Sequence, residues 1–175
     1  MFGGFLRVGT PESLIDELCR QHKRELVVIA NDTATPGLGI GKLATAELVR
    51  KLVVSGIGLN PETQHKMLAG DIEVELVPQG TLVERIRAGG FGLGGVLTPT
   101  GVGTLVEQGK RKLEVQGREY LVETPLRAAS RCCRRSSPII TGTSSTRLRR
   151  ATSTRSLRWL ERRSSPKWST SSRSA

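Results

Sequence analysis

Two glycine-rich segments are the first places in this chain where residue type and spacing could do chemistry, because amides without side chains around them can cradle a phosphate. Gly90-x-Gly92-x-x-Gly95 spells a dinucleotide fingerprint. Its setting is wrong, since a helical stretch precedes it and Thr98-Pro99-Thr100-Gly101 stands where the motif's helix should begin. Gly37-Leu38-Gly39-Ile40-Gly41-Lys42 does follow a strand and open a helix, a setting that suits an anion. It is not a P-loop, because Pro36 replaces the first glycine and Leu43 the Ser/Thr; a tight βα turn accounts for it. Asp71, Glu73 and Glu75 alternate along a strand and read as one solvated face rather than an acid–base pair. His22 ends a helix and His65 lies on an exposed helical face, with no Cys or carboxylate at ligand spacing, so no metal site is expected. Cys19 sits in a helical pattern and Cys132-Cys133 are adjacent, which matches neither a zinc spacing nor a disulfide framework. No Ser/His/Asp arrangement is evident. The residues describe glycine loops suited to a phosphate-bearing ligand, without a nucleophile.

Those loops need elements to position them. Met1–Phe5 reads as the end of a buried strand entering a glycine turn, followed by a helix that Thr10 caps and Pro11 and Glu12 begin. Glu25–Asn31 is continuously apolar and reads as a strand buried on both faces. The pattern then predicts a helix over Lys42–Arg50, a strand over Lys51–Ile57, and a helix from Asn60-Pro61-Glu62 to Gly70. A strand over Ile72–Val77 leads into residues 77–103, the stretch around which the chain is organised. There a short helix, Thr81–Ala88, is predicted to dissolve into a glycine loop, Gly89–Gly95, whose glycines are read as ligand- or partner-facing rather than packed. Lys110–Thr124 reads as a hairpin turning at Gln116-Gly117. Strand–helix–strand at this spacing predicts an α/β fold with βαβ units and an open, mostly parallel sheet.

The 175-residue chain carries a net charge of +11, which would point to nucleic acid if it were spread evenly. It is not: residues 1–130 hold 15 basic and 15 acidic residues, and residues 131–175 hold 12 and 1. That last segment has no helical or strand period and carries 12 serines, so it is expected to be a disordered basic tail. With no apolar run near ~20 residues and no cationic-then-apolar leader, neither a membrane span nor a signal peptide is expected, and the cysteine usage fits a cytoplasmic location.

Residues 3–128 resemble the A (alpha) subunit of the family I 3-oxoacid, or acetate–acetoacetate, CoA-transferases. The resemblance rests on Gly-Gly-Phe-x-x-x-Gly-Thr-Pro at 3–11, Ile-Ala-Asn-Asp-Thr at 29–33 and Gly-Ile-Gly-Lys at 39–42. It continues with Asn-Pro-Glu-Thr at 60–63, Glu-Leu-Val-Pro-Gln-Gly-Thr-Leu at 75–82, Gly-Leu-Gly-Gly-x-Leu-Thr-Pro-Thr-Gly-Val-Gly-Thr at 92–104, and Pro-Leu-Arg-Ala at 125–128. The resemblance implies that Gly3, Gly4, Phe5, Leu6, Arg7, Val8 and Gly9 form the CoA-binding segment. Position 7 is commonly glycine in the family, so Arg7 would either meet a CoA phosphate or obstruct backbone approach. Gly56 and Leu59 stand where relatives often carry His and Thr. The family's nucleophile is a glutamate of the B (beta) subunit, which attacks the acyl-CoA thioester and becomes a glutamyl-CoA. An A subunit therefore needs none. Gln79, Gly80, Gly89, Gly90, Gly92, Gly94 and Gly95 are the residues expected to support the thioester or meet the partner. CoA enters as a substrate thioester and no permanent cofactor is expected; the implied assembly is a heterotetramer, in ketone-body or short-chain fatty-acid metabolism.

Both ends depart from the family. Relatives carry a helix and the rest of a strand before Gly-Gly-Phe, so an internal start is expected. Past Ala128 the family's continuation is missing in this frame, yet codons permitted by Gly142-Thr-Ser-Ser-Thr read Asn-Leu-Val-Tyr in a shifted one. Arg149–Arg155 likewise permits Ala-Arg-Asn-Phe-Asn-Pro. The expectation is a domain over 1–128, then a frameshift near Ala128-Ala129 that makes 129–175 a tail without selected structure. The nucleotide sequence tests it: a shifted frame that does not encode the continuation sinks the idea. The competing reading is a binding module whose basic tail recruits nucleic acid or anionic lipid. It is disfavoured because Trp159 and Trp168 sit in no repeat or amphipathic period.

Overall fold

A computed structural model describes residues 1–133. Three short parallel strands form its centre, in the order β1 (Leu26–Ile29), β2 (Val49–Val54), β3 (Glu73–Leu76). Helices α1 (Glu12–Arg20), α2 (Gly41–Thr45) and α3 (Pro61–Ala69) form a layer on one face, where Ile15, Val28, Leu43, Leu52, Val54 and Ile72 make the main core. Alternate strand residues supply the other face: Ile29 and Val53 pack with Val77 and with Leu82 and Ile86 of α4 (Gln79–Phe91). Continuous apolar strands follow from cover on both sides. The cover is incomplete, however, since Val27 remains 48% exposed.

A second, antiparallel sheet has the order β4-β6-β5, from β4 (Val96–Thr98), β5 (Lys112–Val115) and β6 (Arg118–Glu123). Its hairpin turns at Gln116 and Gly117 with φ of 53° and 73°, the left-handed pair that a two-residue turn needs to match strand twist.

The chain's start lies beside β1 as the expected strand end: Phe2 N–H donates to the Ile29 carbonyl at 2.8 Å. On its outer side run residues 130–133, with Cys132 N–H donating to the Met1 carbonyl and Gly3 N–H to the Cys132 carbonyl, both at 2.9 Å. Backbone pairing thus reaches Cys132, four residues past the boundary expected at Ala128. The tail expected over 129–175 otherwise falls on 134–175, outside the described residues.

Three local expectations fail for tertiary reasons. The helix expected to reach Arg50 ends at Thr45, and Glu47 takes a φ of 56°. Leu48 and Val49 then join the sheet, where the Leu48 carbonyl accepts from Leu26 N–H at 2.9 Å. Strand pairing overrides helical period there. Thr10 is not an N-cap: Pro11 holds that position, and the buried Thr10 hydroxyl donates instead to the Leu6 carbonyl at 2.8 Å. Finally, α4 does not stop at Ala88 but continues through Gly89 and Gly90 to Phe91, so the expected glycine loop begins only at Gly92. The cap of α3 is as expected, with Asn60 Oδ1 accepting from Thr63 N–H at 3.0 Å and Gly70 ending the helix at a φ of 82°.

Candidate functional site at the carboxyl edge of the parallel sheet

Ligands of open α/β sheets sit outside the carboxyl ends of the strands, where loops converge and amide groups are free. Three connections meet there. After β1, Asn31 and Asp32 run alongside Ser55 and Gly56 after β2, with Ser55 N–H and hydroxyl both donating to the Asn31 carbonyl, at 2.9 and 2.7 Å. After β3, Val77 N–H donates to the Val54 carbonyl at 2.9 Å, and Pro78 turns the chain into α4 with Gln79 exposed at its first position. Gln64 braces the middle loop by donating to the Ile57 and Gly58 carbonyls, each at 3.1 Å.

The segment 3–9 is fastened to this edge. Phe5 and Val8 exchange two backbone hydrogen bonds, of 3.0 and 2.9 Å, closing a tight turn on Leu6 and Arg7. Leu6 holds a left-handed φ of 53°, unusual for a branched residue. Its N–H donates to both oxygens of the Asp32 carboxylate, at 3.2 and 3.0 Å. That carboxylate also accepts from Ala34 N–H at 2.7 Å and from the Asn31 amide at 2.8 Å. Gly4 must be glycine for this approach, because a Cβ there would lie 2.4 Å from the Thr10 hydroxyl. Phe5 (60%) and Val8 (78%) stand open, and Arg7 is exposed at the tip with no carboxylate partner among the described residues. The edge therefore offers an apolar lip and, among the described residues, a guanidinium without a carboxylate partner, a combination suited to an anionic ligand with an apolar arm.

Gln79 and Gly80 join this edge. The 89–95 group does not: it begins at Gly89, ten residues along α4 from Gln79, which is about 15 Å of helix. Two of its glycines serve packing. A Cβ on Gly89 would lie 2.0 Å from the Leu126 carbonyl, and one on Gly95 3.0 Å from that of Glu123. Gly90, Gly92 and Gly94 face open space. An open groove between α4 and β4, lined by Gly80, Thr81, Val83, Glu84, Arg87 and Leu97 among others, runs along this helix.

A charged cluster is the feature that residue patterns did not reveal. Arg85 on α4 is 6% exposed, donates to the Thr124 carbonyl at 2.8 Å and pairs with Glu75 at 2.6 Å. Glu123, at 2% exposure, receives Lys110 at 2.5 Å and lies 3.7 Å from Arg85. Lys51 adds contacts of 2.7 Å to Glu73 and 3.3 Å to Glu75. Burial pushes the Glu75 carboxyl up, but the hydrogen bonds and charges of Arg85 and Lys51 outweigh it and hold the group below its usual range. Glu73 and Glu75 are thus not simply a solvated face; Glu75 ties the parallel sheet to α4. The cluster lies in ion pairs between elements, which is structural chemistry. Burial raises the Cys19 and Cys132 thiols, the wrong direction for a nucleophile. Among the described residues no group of three or more His, Cys, Asp or Glu is placed to hold a metal.

The family described as Coenzyme A transferase matches residues 1–133. An acetoacetyl-CoA:acetate/butyrate CoA transferase alpha subunit from Clostridium acetobutylicum is 58% identical over 128 residues, 73% of this chain and 59% of that protein. An acetate CoA-transferase subunit alpha from Escherichia coli is 55% identical over 128 residues, covering 73% and 58%. The chain therefore spans less than two thirds of the length of these curated relatives. Among solved structures, an acyl-CoA transferase from E. coli O157:H7, crystallised as a thioester complex with CoA, superposes with a TM-score of 0.61 at 24% identity. That match covers 71% of this chain and 28% of the other, and at this identity it speaks to fold.

Proposed function

This chain belongs to the coenzyme A transferase family, and from that premise we propose that it serves as the alpha subunit of an enzyme moving CoA between an acyl-CoA and a carboxylic acid. The donor and acceptor classes proposed are succinyl- or acetyl-/acetoacetyl-CoA and a short-chain or 3-oxo acid. One observation carries the reading. Four of the segments that carry the family resemblance, 3–11, 29–33, 60–63 and 75–82, are far apart in the chain yet meet at one carboxyl edge. Asn60 illustrates it: its side chain caps α3 and also donates to the Thr33 carbonyl at 3.1 Å.

In this reading the chain supplies half of a site. Gly3–Gly9 receives CoA, with Arg7 toward a phosphate and Phe5 and Val8 toward the apolar arm. Gln79 points a side-chain amide toward the thioester carbonyl, where a donor aimed at developing negative charge lowers the barrier. The nucleophile is a glutamate of a beta-subunit partner: its carboxylate attacks the thioester carbonyl and expels CoA thiolate, which then attacks the acyl anhydride to give glutamyl-CoA and free acid. The acceptor acid repeats the sequence in reverse.

Co-purification with a beta subunit from the family, followed by an acyl-CoA/acetoacetate exchange assay, tests this. Turnover that needs both chains is the expected result. Exchange by the alpha chain alone, or a beta chain indifferent to it, would overturn the reading.

A further inference from the structure

The Ile-Ala-Asn-Asp-Thr motif at 29–33 contains a carboxylate that the proposed chemistry does not use. Asp32 makes no ion pair with Lys or Arg among the described residues. Its negative charge is met instead by backbone and amide donors: Leu6 N–H at 3.0 and 3.2 Å, Ala34 N–H at 2.7 Å and the Asn31 side chain at 2.8 Å. Both backbone donors belong to non-glycine residues in the left-handed region, Leu6 at a φ of 53° and Ala34 at 52°. Such conformations are disfavoured for side chains with a Cβ and persist only where surrounding contacts hold them. The other side of Leu6 is held too, because its carbonyl accepts the buried Thr10 hydroxyl at 2.8 Å.

We propose that Asp32 is the positioning residue of the Gly3–Gly9 segment, clamping the Leu6 peptide so that the Phe5–Val8 turn keeps the shape that receives its ligand. The clamp ties the first loop to the end of β1, and the Asp32 backbone is itself bridged to Gly56 beyond β2. One residue, through carboxylate and backbone together, thus couples three connections of the carboxyl edge. A neutral amide serves less well, because only its oxygen accepts while its NH2 faces other donors. The role of the turn as CoA contact rests on the function proposed above; the clamp does not.

The test separates the two. Amide hydrogen exchange is followed in the full chain for wild type, Asp32→Ala and Asp32→Asn, and coenzyme A is then titrated into each. Loss of a charge-assisted hydrogen bond should speed exchange of the Leu6 and Val8 amides by about tenfold to a hundredfold in Asp32→Ala, while the amides of β2 keep their protection. Asp32→Asn, which retains one acceptor, should recover part of that protection. CoA affinity should follow the same order. Unchanged exchange at Leu6 and Val8 in Asp32→Ala overturns the clamp, as does equal acceleration throughout β2, which would show a general loss of stability. Faster loop exchange in a chain whose wild type binds no CoA upholds the clamp and overturns the CoA reading. If Asp32→Ala does not fold, Asp32→Asn and Thr10→Val, which frees the Leu6 carbonyl, carry the same comparison.

Discussion

Neighbouring residues of the same type do different work in α4. Arg87 is exposed and pairs with Glu84 at 2.5 Å on the helix surface, whereas Arg85, two positions earlier, is buried among carboxylates and the Thr124 carbonyl. Gly89 and Gly90 are adjacent and both helical, yet one backs onto a carbonyl and the other onto open space. This pair gives a sharp expectation. Gly89→Ala drives a Cβ into the Leu126 carbonyl and should destabilise by roughly 2 kcal/mol or more, as overpacking against backbone does. Gly90→Ala removes chain entropy from the unfolded state without a clash and should stabilise by about 0.5–1 kcal/mol. Urea unfolding of the two variants reads the difference; equal effects would show that Leu126 moves aside freely.

Among elements, α4 is the hinge of the arrangement. Its first position belongs to the carboxyl edge, and its body carries Leu82 and Ile86 onto the parallel sheet. Arg85 and Gly89 bind it to the chain following β6. The Glu75–Arg85 pair should make this junction acid-sensitive. A carboxyl held below its ordinary value in the folded state contributes stability above the unfolded pKa, about 4.3, and loses it as pH falls through the folded value. Glu75→Gln should therefore be less stable than wild type at pH 7. The gap should narrow as pH drops below about 4, where wild type protonates and the variant does not change. Thermal unfolding across pH 3–7 measures it, and a constant gap would mean that Glu75 acts by packing rather than charge. The hairpin was legible in the sequence because turn and strands are local, with Gln116-Gly117 between two alternating runs. The length of α4 was not. Helical glycines look like a loop until a second strand of chain is seen to lie against one of them.

Among the described residues, the parallel sheet is the better covered and the antiparallel sheet is half bare. The outward face of the antiparallel sheet carries Leu97 (46% exposed), Leu113 (37%) and Val115 (42%), beside Tyr120 and Val122. Arg118 shares this face, its guanidinium 5.8 Å from the centre of the Tyr120 ring, and the apolar remainder promotes association. The double variant Leu97→Thr, Leu113→Lys should shift sedimenting species toward monomer while leaving the unfolding midpoint within a few degrees; unchanged association would place the contact elsewhere. No helix among the described residues is long and apolar enough to cross a membrane. From sequence alone came the α/β class, the order of strands and helices as far as α4, the cap of α3, the hairpin and the motifs that mark the family, because period, turn chemistry and matched text act over a few residues. Tertiary structure alone decided which glycines are packed, where α2 gives way to β2, and that Arg85 and Glu123 are buried together. It also decided that Asp32 grips a turn 26 residues earlier in the chain. Those outcomes depend on what approaches a residue from a distant part of the chain, and no local pattern encodes the neighbour.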